Sequence, residues 1–345
     1  MTATTVYREL KSKLKAVVPD FELRYKSELA EKILRLKRER NAVILGHNYM
    51  EPALYHSIPD FTGDSLALCK RAVETDKDPI VFCGVRFMAE TAKILNPNKT
   101  VLLPAAEAGC SLAASITAED VRRLKIRYPG VPVVAYINTY AEVKAEADYC
   151  CTSGNAAAVV QAIASDVVIF VPDEYLARNV AHETGKSIVV LAANGEENAG
   201  ESDSRGRILG WPGRCEVHEK FTVEDVANAR RQFPDVLILA HPECSPEVVE
   251  AADFAGSTSA MIRQVRETTA PHYLLLTECS MGDNIVAESP EKELLRLCSV
   301  RCPHMNQITL EETLGALEYD RYPIEVPEPI RSRAARAIER MLALG

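Results

Sequence analysis

Apolar positions along the chain switch between two spacings. From Glu28 to Arg38 they recur at helical spacing, which predicts an amphipathic helix, and Ala42 to Leu45 is a short aliphatic run that predicts a strand. The same succession returns further on. Val121, Leu124 and Tyr128 mark one face of a helix that stops at Pro129-Gly130, and the strand-like run Val131 to Ala135 follows it. Val236 to Ala240 is a third run of this kind. Each run leads into polar residues: Gly46-His47-Asn48-Tyr49, Ala135-Tyr136-Ile137-Asn138 and Ala240-His241-Pro242-Glu243. Beyond each lies a small hydroxyl residue opening an Ala-rich helix, within Gly63-Asp64-Ser65, Thr152-Ser153-Gly154 and Gly256-Ser257-Thr258.

These similarities keep register. A shift of 105 residues lays Cys110 on Cys215, Thr117 on Thr222, Asp120 on Asp225 and Pro129 on Pro234 without a gap. A further shift of 87 brings Cys215 onto Cys302, Thr222 onto Thr309 and Asp225 onto Glu312. Thr followed three residues later by Asp or Glu is a capping box, so each cysteine falls in the loop just before a new helix. First and third copies also share Met88 with Met281 and Lys99 with Lys292 at a constant shift of 193. The second copy carries an insertion in Asn194 to Gly213, a polar, glycine-rich stretch that reads as a surface loop.

The fold expected is therefore α/β, with three homologous α/β/α modules. Alternating strands and helices imply parallel sheets covered on both faces, with ligands beyond the carboxyl ends of the strands. The expected division is an N-terminal extension, 1–26, then modules 27–115, 116–220 and 221–307, with the C-terminal helix 308–345 joining the first. Packing about a pseudo-threefold axis would bring strand ends, hydroxyl residues and cysteines to one central site.

Composition narrows the chemistry. The 345 residues are 47% hydrophobic and 26% charged, as in an ordinary globular protein. A net charge of -9, without a basic stripe beyond Arg35 to Arg40, argues against binding a nucleic-acid backbone. Apolar runs are too short for a bilayer helix, and the charged segment Tyr7 to Lys15 stands where a signal core would be, so the expected location is the cytoplasm. Ten cysteines are unusual in such a chain and point to metal, catalysis or packing in preference to structural disulfides.

Taken singly, a free cysteine is most often a buried small hydrophobe. Repetition in one loop context separates Cys110, Cys215 and Cys302 from that reading. Three converging thiolates suit either zinc or a 4Fe-4S cluster with one open iron, and spacing does not choose between them. Cys69, Cys83, Cys150, Cys151, Cys244 and Cys279 have no triplicate partners and read as core; Cys298 reads as a non-ligand. His47, Tyr49, Tyr136, Asn138, His241 and Glu243 at the strand ends supply acids and bases. Ser65, Ser153, Ser257 and Thr258 at helix starts suit phosphate or carboxylate. His218 and His304 follow candidate ligands closely, but no repeat supports a catalytic role for them.

Several longer motifs resemble the quinolinate synthase family. They are Gly46-His47-Asn48-Tyr49, Gly63-Asp64-Ser65, the run from Val85 to Leu95, Ala108-Gly109-Cys110, Val217-His218-Glu219, His241-Pro242-Glu243, Gly256-Ser257-Thr258-Ser259 and Cys302-Pro303-His304-Met305, within residues 27 to 315. The resemblance implies three α/β domains around a 4Fe-4S cluster held by Cys110, Cys215 and Cys302. It also implies condensation of iminoaspartate with dihydroxyacetone phosphate to quinolinate, with release of phosphate and water. Iminoaspartate would come from an aspartate-oxidising enzyme, and neither nucleic acid nor membrane would be a partner. On this resemblance Tyr49, His47, Glu243, His241 and Tyr136 are catalytic. Ser65, Asn138, Ser153, Ser257 and Thr258 bind substrate together with His47, Tyr136, His241 and Glu243. The C-x-x-C-x-x-C of some relatives is reduced here to Cys298 and Cys302. Rival readings are another 4Fe-4S hydro-lyase acting on a small hydroxy acid, or a non-enzymatic metal-binding protein.

Overall fold

The computed structural model describes residues 3–196, 206–295 and 300–344. Its strands form three sheets in which every pairing is parallel. The first holds β1 (Val43–His47), β2 (Phe61–Gly63), β3 (Ile80–Cys83) and β4 (Val101–Leu102), in the order β2-β1-β3-β4. The second holds β5 (Val133–Tyr136), β6 (Tyr149–Cys151), β7 (Val167–Val171), β8 (Ser187–Val190) and β9 (Arg207–Gly210), in the order β6-β5-β7-β9-β8. The third holds β10 (Val236–Ala240), β11 (Phe254–Ala255), β12 (His272–Leu276) and β13 (Leu294–Leu295), in the order β11-β10-β12-β13. First and third sheets thus share one topology, and the second departs from it only by β9, inserted between β7 and β8.

In this order the connections reverse direction between the first strand of each module and the third. A crevice opens at such a switch point, beyond the carboxyl ends of β1 and β3, β5 and β7, β10 and β12. Strands covered on both faces read as continuous apolar runs. Accordingly β1 is buried along its whole length, and Ile238 and Ala240 of β10 enter one apolar cluster while Leu239, between them, enters another across the sheet.

Thr117 and Thr222 form complete capping boxes with Asp120 and Asp225. Thr309 accepts from the Glu312 amide, and no return bond from Glu312 closes the third box among the described residues. At the N-terminus, the helix Ala3–Leu14 packs on the helix Asp20–Glu39 through buried Leu10, Leu14, Leu23 and Ile33. Within 308–345, the helix Leu310–Tyr319 lies against Asp20–Glu39 and β3, with Thr313 Oγ1 near Cys83 Sγ at 3.7 Å. The helix Glu328–Ala343 instead lies along Ala141–Glu146 and β6, where Arg333 pairs with Glu146 at 2.5 Å.

One expectation is corrected. The stretch Asn194 to Gly213 is not all surface loop, because Arg207–Gly210 is β9 and Ile208 and Leu209 are fully buried. Two apolar residues between charged and glycine neighbours are too short a run to announce a strand. Residues 197–205 of this stretch lie outside the described residues. No described helix is long and apolar enough to cross a membrane.

Candidate active site

The ends of β1, β5 and β10, the starts of the helices Ser65–Glu74 and Thr258–Glu267, the segment Thr152-Ser153 and three cysteine loops surround one cavity of about 80 Å³. Every site residue singled out from the sequence lines it, the three repeated cysteines included. The modules meet directly around this space. Asn48 Nδ2 donates to Thr258 Oγ1 at 2.9 Å, Ser257 Oγ donates to Asp64 at 2.9 Å, and Asn138 Nδ2 donates to Glu243 at 3.1 Å.

The three cysteines share one local construction. Each precedes a turn of helix: Ser111–Ala114 after Cys110, His218–Lys220 after Cys215 and Met305–Gln307 after Cys302. Two backbone N–H groups, two and three residues on, then face each sulfur: Leu112 and Ala113, Val217 and His218, His304 and Met305. Burial pushes the thiols up, Cys110 to about 12 and Cys302 to about 11, and these N–H groups work against it. Amides aimed at sulfur stabilise a thiolate, the form that ligates metal. Gly213, two residues before Cys215, is paired with Asp173, and a Cβ there would stand 2.4 Å from the Pro172 carbonyl oxygen. The loop therefore tolerates no side chain at that position. Cys215, His218 and Glu243 also place one ligand atom each within 4.8 Å of one another, a group able to hold a metal ion.

A hydrogen-bond chain crosses the cavity wall. Tyr49 Oη lies 2.5 Å from Thr277 Oγ1, which lies 3.0 Å from His218 Nε2. His218 Nδ1 lies 2.8 Å from Glu243 Oε2, and Glu243 Oε1 accepts from Tyr136 Oη at 2.5 Å. Burial works to raise the Glu243 carboxyl, but His218, His241 and the Tyr136 hydroxyl outweigh it and hold the group below the usual carboxylate range. It is thus an ionised acceptor. Burial raises the Tyr49 and Tyr136 phenols well above their usual value, with Glu243 adding to the effect, so both remain proton donors. Burial also lowers His47 to about 4 and, with repulsion from His218, His241 to about 3. Each of these rings accepts at Nδ1 from an amide two residues on, Tyr49 N at 3.2 Å and Glu243 N at 3.3 Å, so in the neutral ring Nε2 carries the hydrogen.

The hydroxyl residues sit at helix starts in two modules. Asp64 caps the helix Ser65–Glu74 and Ser257 caps Thr258–Glu267. In the second module the helix begins at Ala156, three residues after Ser153, because Asn155 folds back to accept from the Thr152 amide at 2.7 Å.

Sequence reasoning passed over three residues here. His218 had no repeat support, yet it is buried, stacks on His241 at 4.5 Å between centroids and joins Glu243 to Thr277. Thr277 directly follows β12 and Asp173 lies two residues beyond β7, so both stand at the ends of third strands, whereas the repeated polar signatures mark the first strands. Asp173 Oδ1 accepts from the Leu176 amide at 2.7 Å, while Oδ2 has no partner among the described residues. Among the other cysteines, Cys69, Cys83, Cys150, Cys151 and Cys244 are free and buried. Cys279 is disulfide-bonded, which corrects its reading as core, since packing and bridging cysteines look alike without pairing information. Cys298 lies outside the described residues.

Comparison with known proteins agrees with the motif resemblance. The family described as Quinolinate synthetase A protein matches residues 31–343. Quinolinate synthase 2 of Mesorhizobium japonicum is 53% identical over 312 residues, 90% of this chain and 90% of the relative. Quinolinate synthase of Xylella fastidiosa (strain 9a5c) is 52% identical over 314 residues, 91% of this chain and 86% of the relative. That of Agrobacterium fabrum is 49% identical over 328 residues, 95% of this chain and 89% of the relative. A match over nearly the whole chain, with relatives at half identity and motifs that all face one cavity, has one meaning: the chain belongs to the quinolinate synthetase A protein family, the quinolinate synthases.

Proposed function

We propose that the chain makes quinolinate from iminoaspartate and dihydroxyacetone phosphate in the cytoplasm, using a 4Fe-4S cluster held by Cys110, Cys215 and Cys302. The observation that carries the proposal is the arrival of three identically built cysteine loops and all the strand-end acids and bases at one cavity. Modules 27–115, 116–220 and 221–307 stand about a pseudo-threefold axis through it. Two amides facing each sulfur fit thiolate ligation from three directions. When bound, such a cluster keeps one iron without a protein ligand and supplies Lewis acidity toward a substrate oxygen.

The chain's own residues do the rest. Glu243, ionised and buried, takes a proton from the carbon next to the carbonyl during ketose-aldose isomerisation and during the enamine steps that join the two substrates. His241, whose Nε2–H follows from its Nδ1 bond, donates to the carbonyl oxygen that becomes a hydroxyl. Tyr49 and His47 protonate the groups that leave as phosphate and water. Tyr136 and Asn138, both on Glu243, orient the carboxylate and hold the condensed intermediate. Ser65, Ser153, Ser257 and Thr258 bind phosphate and carboxylate oxygens through their hydroxyls, helped by the amides at the helix starts that carry Ser65, Ser257 and Thr258. An aspartate-oxidising enzyme would supply the unstable imine.

The test is anaerobic. Protein reconstituted with iron and sulfide, given aspartate, an aspartate-oxidising system and dihydroxyacetone phosphate, is expected to form quinolinate. Absence of product with a fully loaded cluster would contradict the proposal.

A further inference from the structure

We infer that Tyr140 is a positioning residue of the cluster site, reaching from the second module to hold the Cys110 loop of the first. The inference rests on the reading of Cys110 as a cluster ligand and adds a residue whose type the other two copies do not share.

Tyr140 is the N-cap of the helix Ala141–Glu146, and the shift of 105 residues lays it on Ser245, the N-cap of Pro246–Ala251. Ser245 does what a cap residue ordinarily does, accepting from Val248 N at 3.4 Å. A tyrosine side chain is too long to fold back in this way, and Tyr140 makes no side-chain cap bond among the described residues. Glu90, buried in the first module, takes over the task and accepts from Ala141 N at 2.8 Å. The phenol meanwhile points across the same boundary in the other direction, and its Oη accepts from Cys110 N at 3.3 Å.

Arg86 fixes this arrangement. Its exposed guanidinium lies 4.9 Å over the Tyr140 ring, and its Nε donates to Glu90 Oε1 at 2.7 Å. Its backbone N donates to Ala108 O at 2.8 Å, so one residue ties together the ring, the helix cap and the cysteine loop. Gly109 completes the fit. A Cβ there would stand 3.3 Å from Tyr140 Oη, so the bare backbone is what lets the hydroxyl reach the next amide. Cys302 is anchored differently, because its amide is accepted by Glu278 of its own module. Cys110 takes its anchor from a neighbour. The peptide that aims the Cys110 side chain is therefore held only while the first and second modules are docked, which couples cluster retention to that docking.

The test compares wild type, Tyr140→Phe, Gly109→Ala and the double variant, each loaded with iron and sulfide under argon. It reads iron per chain, kcat per cluster and the rate at which a ferrous-iron chelator bleaches the visible absorbance. Tyr140→Phe keeps the ring under Arg86 and deletes only the acceptor. It is expected to load fully, to keep kcat per cluster within about twofold and to bleach about three- to tenfold faster, the worth of one ordinary hydrogen bond. Gly109→Ala is expected to bleach faster too, and the double variant to stay within about twofold of the faster single variant, because both changes open the same contact. Bleaching at the wild-type rate in Tyr140→Phe, or accelerations that multiply in the double variant, would overturn the inference. Wild-type protein that takes up no iron would instead strike the cluster reading on which it rests.

Discussion

The cysteine loops and the hydrogen-bond chain beside them are built on opposite principles. The loops are one design used three times: sulfur, two inward amides, a helical turn, then a capped helix. The chain from Tyr49 to Tyr136 mixes residue types, with tyrosine at both ends and threonine, histidine and glutamate between them. Repetition suits a ligand with equivalent coordination positions. Acid-base chemistry needs donors and acceptors in a fixed order, so equivalent strand ends have diverged into tyrosine, asparagine, histidine and glutamate.

The largest expected effect removes the repeated element. Replacing Cys110, Cys215 or Cys302 by Ser is expected to take activity to background and iron with it, whichever of the three is chosen, because a two-thiolate site does not retain the cluster. Breaking the unrepeated element leaves the metal side intact. Glu243→Gln is expected to hold its iron and lose about a thousandfold or more in kcat, read by quinolinate formation; full activity would remove its role as base. Between the two lies Gly213→Ala. A Cβ against the Pro172 carbonyl displaces the loop carrying Cys215 and His218, so faster loss of visible absorbance in air is expected, together with a weakened contact between His218 and Glu243.

The contrast also explains what the sequence disclosed. Strand ends of β1, β5 and β10, the capping threonines and the three cysteines were legible because each occurs again at a fixed shift, which filters chance. His218 and Thr277 were not, because one acts as a single copy and the other follows the third strand of its module. Strand β9 was hidden for a different reason: two buried residues inside a polar stretch carry no period. The expectation that Cys279 packs as core failed because pairing is a property of space and not of spacing.

Smaller effects test the scaffold. Burial lowers His47 to about 4, below its value in the unfolded chain, so the unfolded state binds the extra proton first as pH falls. The stability associated with a neutral His47 is present above about pH 6.5 and is lost progressively toward about pH 4. Thermal melts are expected to show a drop in Tm across that window, shallower in His47→Asn. Smallest of all, Thr117→Ala opens one capping box at a surface helix and is expected to cost about 1 kcal/mol, or about 2 °C in Tm, with activity unchanged.

The claim that three copies of one loop converge on a shared cluster is tested most directly by metal analysis of anaerobically purified protein. The account predicts a brown protein with about four irons and about four sulfides per chain, both falling to near zero in each single cysteine variant. A colourless protein with one zinc per chain, or variants that each keep most of their iron, would contradict it.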